Sequence, residues 1–179
     1  MAINNIYVEG KDQVQQAFDN NPEFKLVSFN DFFTQDALIE LFNTIEMAQY
    51  VKTDNILEEH LHKAPLAESD LPPGFIAYCK EIIGDKNVTS IQALKLSWKD
   101  YSLLSDDVFE KGIHAIIGFS EWDEKQGGGL YYMHNNEPLL IPTTINAVTL
   151  IDANDMKSFI QYVNHYAEEV GYIVKIVFE

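Results

Sequence analysis

The chain has 179 residues, with 28 Asp and Glu against 12 Lys and Arg, which gives a formal net charge of −16. All twelve basic residues are lysines. This balance excludes sequence-independent binding to nucleic acid and disfavours an anionic membrane surface, because both need clustered positive charge. Without arginine there is no bidentate grip on a carboxylate or phosphate, so an anionic ligand needs a lysine, a backbone amide or a metal.

The composition is typical of one soluble domain with a substantial core, covering residues 1–179. The chain is 46% hydrophobic and 12% aromatic. It has neither a run of about 18 apolar residues nor the start of a classical signal peptide, so we expect an intracellular, cytoplasmic protein. The single cysteine, Cys79, lies in an apolar helical stripe, which favours a buried, inert thiol over a nucleophile.

Residues 1–87 show mainly helical periodicity. A short helix is predicted over 12–18, a strand over 24–29, and a helix after Thr34, which can act as its N-cap. A further apolar stripe predicts a helix over 75–83 that ends at Gly84.

Residues 88–179 contain short strand patterns separated by turn residues. Helices followed by at least six short strands predict a sheet sandwich or barrel buttressed by helices. The predicted strands cover 88–98, 112–119, 130–133, 139–141, 147–151 and 172–178.

The segment 158–166 is ambiguous. It alternates as a strand does, but apolar residues from Phe159 to Val170 also recur at helical spacing ahead of Gly171, a natural helix stop. The pattern favours neither alternative.

The histidines give two patterns of interest. His60 and His62 form an H-x-H pair, which on a strand could chelate a metal. The surrounding residues 57–63 are strongly polar and are typical of a helix or loop, so we favour a solvated surface pair. His114 lies in an apolar strand, which favours a hydrogen-bonded core histidine over a metal ligand.

Lys175 lies in a predicted strand whose two faces are both apolar. An unpaired buried ammonium is costly, so this lysine needs an anionic partner or an edge position. A neighbouring Asp or Glu, an edge-strand role and an anion-binding role all remain open.

The order of the motifs resembles a known family. A strand over 24–29 precedes a helix from Gln35, a G-G-x-L turn covers residues 127–130, and Ile141–Pro142 precedes the N-x-x-x-x-x-D stretch 146–152. This order resembles the Fe(II)/2-oxoglutarate-dependent dioxygenases of the prolyl 4-hydroxylase type. The resemblance implies a mainly β, α+β fold, the double-stranded β-helix or jelly roll, with the N-terminal helices packed against it.

The resemblance also implies where an iron ligand would lie. The family holds Fe(II) with two histidines and one carboxylate. Its H-x-D motif falls on Ser105–Asp106–Asp107, so Asp107 keeps the carboxylate while serine replaces the histidine. From the residues alone, an acidic solvated turn is the competing interpretation of Asp106–Asp107.

Two alignments remain open for the second histidine. The first places it at His165, with Lys175 ten residues later as the lysine that binds 2-oxoglutarate. The second places Gln161 and Gly171 at those two positions. In the first alignment the metal ligands are Asp107 and His165, and His114 is a conceivable substitute for the third.

The resemblance therefore implies an oxygenase fold with an incomplete metal triad and altered or lost hydroxylase activity. Fe(II) and 2-oxoglutarate are the implied cofactors, and the absence of any cofactor is an equal alternative. The other hypothesis is a non-catalytic, acidic binding or assembly protein on the same fold. For that protein, the negative charge favours a basic protein partner or a second copy of the chain.

Overall fold

A computed structural model describes residues 2–20, 25–55, 59–104, 109–121, 125–167 and 169–179. Its helices are α1 (Asn5–Glu9), α2 (Lys11–Asp19), α3 (Gln35–Glu46) and α4 (Phe75–Ile83), with a 3₁₀ turn over Glu68–Asp70. Its strands are β1 (Leu26–Phe29), β2 (Val51–Asn55), β3 (Glu59–Pro65), β4 (Val88–Leu96), β5 (Tyr101–Ser102), β6 (Ile113–Gly118), β7 (Leu130–His134), β8 (Glu137–Ile141), β9 (Val148–Asp152), β10 (Lys157–Ile160) and β11 (Gly171–Phe178).

The strands form one curled antiparallel sheet. Their order is β1-β9-β6-β11-β4-β3-β5-β10-β7-β8. The remaining strand, β2, is hydrogen-bonded to β3 and lies outside this order. Strand β3 pairs with β4 and also with β5, so it joins the two halves of the curl. The predicted jelly roll is confirmed, because this order folds one sheet into two facing layers.

Local sequence signals fix several boundaries. Thr34 precedes α3 with extended backbone angles, and Gly84 ends α4 with a φ of 89°. Asn135 and Asn136 both have positive φ, 49° and 67°, and connect β7 to β8 in a two-residue hairpin. The helices and turns predicted at these positions are confirmed.

The core has two layers because the central strands are covered on both faces. One cluster lies between the helices and the outer face of β4, β6, β9 and β11, and it includes the buried Cys79. The other fills the inside of the curl. Along β11 the side chains alternate between them, with Val174 in the outer cluster and Ile173 in the inner one. Lys175 follows on the inner face.

The secondary structure of two segments could not be assigned correctly from the sequence pattern. Residues 59–65 form a strand, so the helix or loop predicted around His60 and His62 is wrong. The first part of 158–166 belongs to β10, and the residues after Ile160 form a loop and turn, not a helix. The ring of Phe159 stacks on Tyr131 of β7 with centroids 5.0 Å apart, a cross-strand contact that favours the strand.

In the part of the chain that the structure describes, we find no helix with the length and apolar character that crossing a membrane requires.

Candidate functional site

A cavity of about 380 Å³ opens on the inner face of the curled sheet. Side chains from β3, β4, β5, β7, β10 and β11 line it, together with Leu103 after β5 and Glu110 before β6. Its apolar wall includes Leu61, Leu94 and Ile160. Its polar groups are Gln92, Ser102 and Ser158 and two pairs of a lysine with a glutamate.

The first pair is Lys175 with Glu110. The Nζ of Lys175 donates to Oε1 of Glu110 at 2.8 Å, and the Ser158 hydroxyl donates to the same oxygen. Strand register places Lys175 opposite Gln92 on β4, while the Lys175 ammonium lies 5.9 Å from the centre of the Tyr132 ring. The lysine and glutamate side chains are only 19% and 22% exposed.

Lys175 stabilises the ionised form of Glu110. Burial alone raises the pKa of a carboxyl group, but the charge and hydrogen bond of Lys175, with the hydroxyl of Ser158, outweigh that effect. The pKa of Glu110 is therefore lowered, and the carboxylate is ionised at neutral pH. Glu110 is therefore the anionic partner that the buried position of Lys175 requires.

His114 is fully buried, and its Nε2 lies 3.7 Å from Oε2 of Glu110. The carbonyl of Lys111 can only accept, so Nε2–H donates to it at 3.0 Å, and Nδ1 accepts from the Tyr132 hydroxyl at 2.7 Å. Burial, reinforced by the charge of Lys175, lowers the pKa of His114 to about 4. The predicted core histidine is confirmed. Both ring nitrogens are engaged, so His114 offers no lone pair to a metal.

The second pair lies on β3. Glu59 and Lys63 project from the same face of this strand, and the lysine contacts both carboxylate oxygens, at 2.8 and 2.6 Å. Both side chains line the cavity. Each charge on these two walls thus has a partner of the opposite sign.

The predicted site residues do not come together in this cavity. Lys175 lines it, whereas His165 lies in an exposed turn between β10 and β11, with its ring against Tyr166 at 4.1 Å. Gln161, the alternative to His165, is exposed and borders a different pocket beside Gly127. Asp107, like Ser105, lies outside the described residues.

The described cavity wall does not fit an Fe(II) centre with 2-oxoglutarate. No histidine is among its lining residues, although the facial triad needs two. Across the described ranges, no three His, Cys, Asp or Glu side chains are arranged to hold a metal ion. The one lysine predicted to grip 2-oxoglutarate is paired with a protein carboxylate.

The structure brings together a second polar cluster that sequence reasoning missed. His60 and His62 project from the face of β3 opposite to Glu59 and Lys63, and both rings meet the carboxylate of Asp100. The period-two pattern of 59–65 was the available signal, since it separates the two histidines from the residues that line the cavity. Asp100 follows 38 residues after His62 in the chain, so no local pattern connects them.

Solved structures with the same fold were found for nearly the whole chain. A prolyl hydroxylase from Trichoplax adhaerens, in complex with a hypoxia inducible factor peptide fragment, has a TM-score of 0.72 at 10% identity, covering 98% of this chain and 93% of that one. A Pseudomonas putida prolyl-4-hydroxylase has a TM-score of 0.64 at 8% identity, with 93% and 98% covered. A Burkholderia pseudomallei oxidoreductase of the 2OG-Fe(II) oxygenase family has a TM-score of 0.69 at 8% identity, with 95% and 91% covered.

These similarities show that the chain has the prolyl hydroxylase-like fold of the 2-oxoglutarate/Fe(II) oxygenases, as its motif order predicted. No protein-family model matches the sequence, and no curated protein does either. Sequence identities of about 10% support a shared fold but do not show a shared chemistry, because one fold carries many functions.

Proposed function

We propose that this chain uses the oxygenase fold as a binding module and does not carry out 2-oxoglutarate-dependent hydroxylation. The observation that supports this is the Lys175–Glu110 pair in the cavity. For 2-oxoglutarate to use Lys175, its carboxylate would have to displace Glu110. That exchange would leave a largely buried glutamate without its cation, which is costly.

The histidines support the same proposal. The alignment that the resemblance implies puts Ser105 in place of one iron ligand, and a hydroxyl is a poor substitute for a neutral imidazole. His165 is exposed in a turn away from the cavity lining, and both nitrogens of His114 are hydrogen-bonded. Asp107 remains a predicted ligand that would have to act without either of them.

The partner that we propose is a basic protein, because the chain carries a formal net charge of −16. Electrostatic attraction between such partners speeds their association and weakens as salt is added. A partner isolated by cross-linking should, once purified, associate with this chain more slowly at high ionic strength. An association rate that does not change with salt would contradict this part of the proposal.

Turnover is the first test. The purified chain, supplied with Fe(II), ascorbate and 2-oxoglutarate, should release no succinate above a protein-free control. Succinate release that disappears in Lys175→Ala would overturn the proposal, because it would show that the cavity lysine holds the cosubstrate.

Thermal unfolding with Mn²⁺ and 2-oxoglutarate tests binding separately from turnover. A ligand at 100 times its dissociation constant adds about 2.7 kcal/mol of stability. For a chain of this size, that corresponds to roughly 5–10 °C in melting temperature. We expect no shift for the wild type. A shift of this size that Lys175→Ala abolishes would favour an oxygenase in which 2-oxoglutarate displaces Glu110.

A further inference from the structure

The His60–Asp100–His62 cluster lies on the outer face of β3, outside the cavity. Residues two apart on a strand project from the same face, so the two imidazoles lie side by side. Across the neighbouring strands, His60 pairs with Asp54 on β2 and with Tyr101 on β5. The rings of His60 and Tyr101 are nearly parallel, with centroids 6.0 Å apart.

Asp100 fixes the orientation of both rings. Its carboxylate is fully buried and is reached by Nδ1 of His60 at 3.1 Å and Nδ1 of His62 at 3.2 Å. The backbone N–H and the hydroxyl of Ser97 donate to the same carboxylate at 2.7 and 2.9 Å. An ionised carboxylate only accepts hydrogen bonds, so each Nδ1 carries the proton that it shares with Asp100.

A neutral imidazole that is protonated on Nδ1 keeps its lone pair on Nε2. The Nε2 of His60 lies 3.6 Å from the Oδ1 of Asp54, a carboxylate that is 59% exposed. Both Nε2 lone pairs therefore face away from the buried carboxylate, and that of His60 lies next to an exposed acidic side chain. Among metal-binding histidines, this is the common arrangement: the second nitrogen is held by a carboxylate that sets the tautomer and raises the basicity of the ligand.

We propose that His60 and His62 bind a divalent transition-metal ion through their Nε2 atoms, with Asp100 as the positioning residue. Imidazole ligands select Zn²⁺, Cu²⁺ or Ni²⁺ over Mg²⁺ and Ca²⁺, which prefer oxygen. The proposed site has two protein ligands, since no third His, Cys, Asp or Glu among the described residues is placed to complete a metal-binding group. The remaining positions are open to water or to a ligand, as in metal sites that are not purely structural.

The lysines next to His62 limit the affinity. Lys52 on β2 and Lys95 on β4 stand opposite His62 in the two strand registers, so they lie on the same face as the histidines. The ammonium of Lys95 lies over the ring of Tyr50 at 5.9 Å. Two positive charges on this face oppose a cation, so we expect a dissociation constant in the micromolar range.

Equilibrium titration of the full chain with ZnCl₂ against a chromogenic chelator tests the proposal. We expect one Zn²⁺ per chain, and MgCl₂ should not compete. In His62→Gln the side-chain amide can still donate to Asp100, so the fold keeps its hydrogen bond while the metal loses an imidazole. This variant should bind Zn²⁺ at least about ten-fold more weakly.

His165→Gln is the matched control, because it removes an exposed histidine elsewhere. Its Zn²⁺ affinity should equal that of the wild type. Asp100→Asn should weaken binding by about 10- to 100-fold while both histidines remain. Absence of Zn²⁺ binding in the wild type, or equal affinity in wild type and His62→Gln, would overturn the proposal. Loss of binding in His165→Gln would place the metal elsewhere and would overturn it too.

Discussion

Replacing Lys175 with methionine tests whether the cavity pair is a structural element. The substitution keeps most of the apolar stem of the side chain and removes only the ammonium that contacts Glu110 at 2.8 Å. Breaking a buried ion pair by removing one partner costs about 3–5 kcal/mol. Both side chains keep about a fifth of their exposure, so water recovers part of that cost. We therefore expect Lys175→Met to lower the free energy of unfolding by about 2–3 kcal/mol at neutral pH.

The loss of stability in Lys175→Met should depend on pH. In the wild type, the lowered pKa of Glu110 contributes stability that is complete above the ordinary carboxyl value and is lost as pH falls through the folded pKa. In Lys175→Met the main cause of lowering is gone, and burial raises the pKa of Glu110. The destabilisation should therefore be largest near neutral pH and should shrink in acid, where Glu110 is protonated in both proteins.

Urea unfolding followed by far-ultraviolet circular dichroism provides the measurement. The double variant Lys175→Met/Glu110→Gln should recover part of the loss, because it removes the unpaired charge. Lys63→Met is the matched control in the same cavity. Its lysine is 31% exposed, so its loss should be smaller. A loss for Lys175→Met below about 0.5 kcal/mol, or one that does not depend on pH, would refute the reasoning.

Three further predictions concern the residues around the cavity. Burial lowers the pKa of His114 from 6.5 to about 4. The wild type should therefore lose about 3 kcal/mol of stability from this residue as the pH falls from about 6.5 to 4. Urea unfolding measures this loss, and a stability that stayed constant across that pH range would contradict the prediction. Tyr132→Phe leaves Nδ1 of His114 without its donor and should cost about 1–3 kcal/mol, measured by the same unfolding curve at neutral pH. Gly118→Ala should destabilise the fold, since a Cβ there would lie 2.3 Å from the backbone of Thr143; an unchanged melting temperature would count against the close approach of these two segments.

Much of the fold follows from local sequence signals. The helices carry apolar residues at helical spacing. Thr34 has the extended backbone angles of an N-cap position, and the positive φ of Gly84 favours glycine at the end of α4. The Asn135–Asn136 dipeptide marks the hairpin because asparagine tolerates positive φ. The apolar residues on both faces of β11 correctly indicate a strand covered on both sides.

The candidate site depends on contacts that no local pattern encodes. Glu110 and Lys175 are 65 residues apart, and 28 acidic residues compete for the role of partner. His60 and Asp100 are 40 residues apart. The polar residues around the two histidines favour a helix or loop, so the sequence pattern did not indicate strand β3. Such pairs arise only when the sheet curls and brings distant strands into register. The ten-residue spacing from His165 to Lys175 was compatible with a shared site, yet it spans a turn that leaves His165 exposed.

Calorimetric titration of 2-oxoglutarate, in the presence of Mn²⁺, into the wild type and into Glu110→Gln most directly tests the claim that Glu110 occupies the cavity lysine. We predict no saturable heat for the wild type. In Glu110→Gln, Lys175 is freed from its charged partner, so this variant should bind a carboxylate of 2-oxoglutarate through the lysine alone, without a metal. Saturable binding by the wild type, or the same titration curve for both proteins, would contradict the claim.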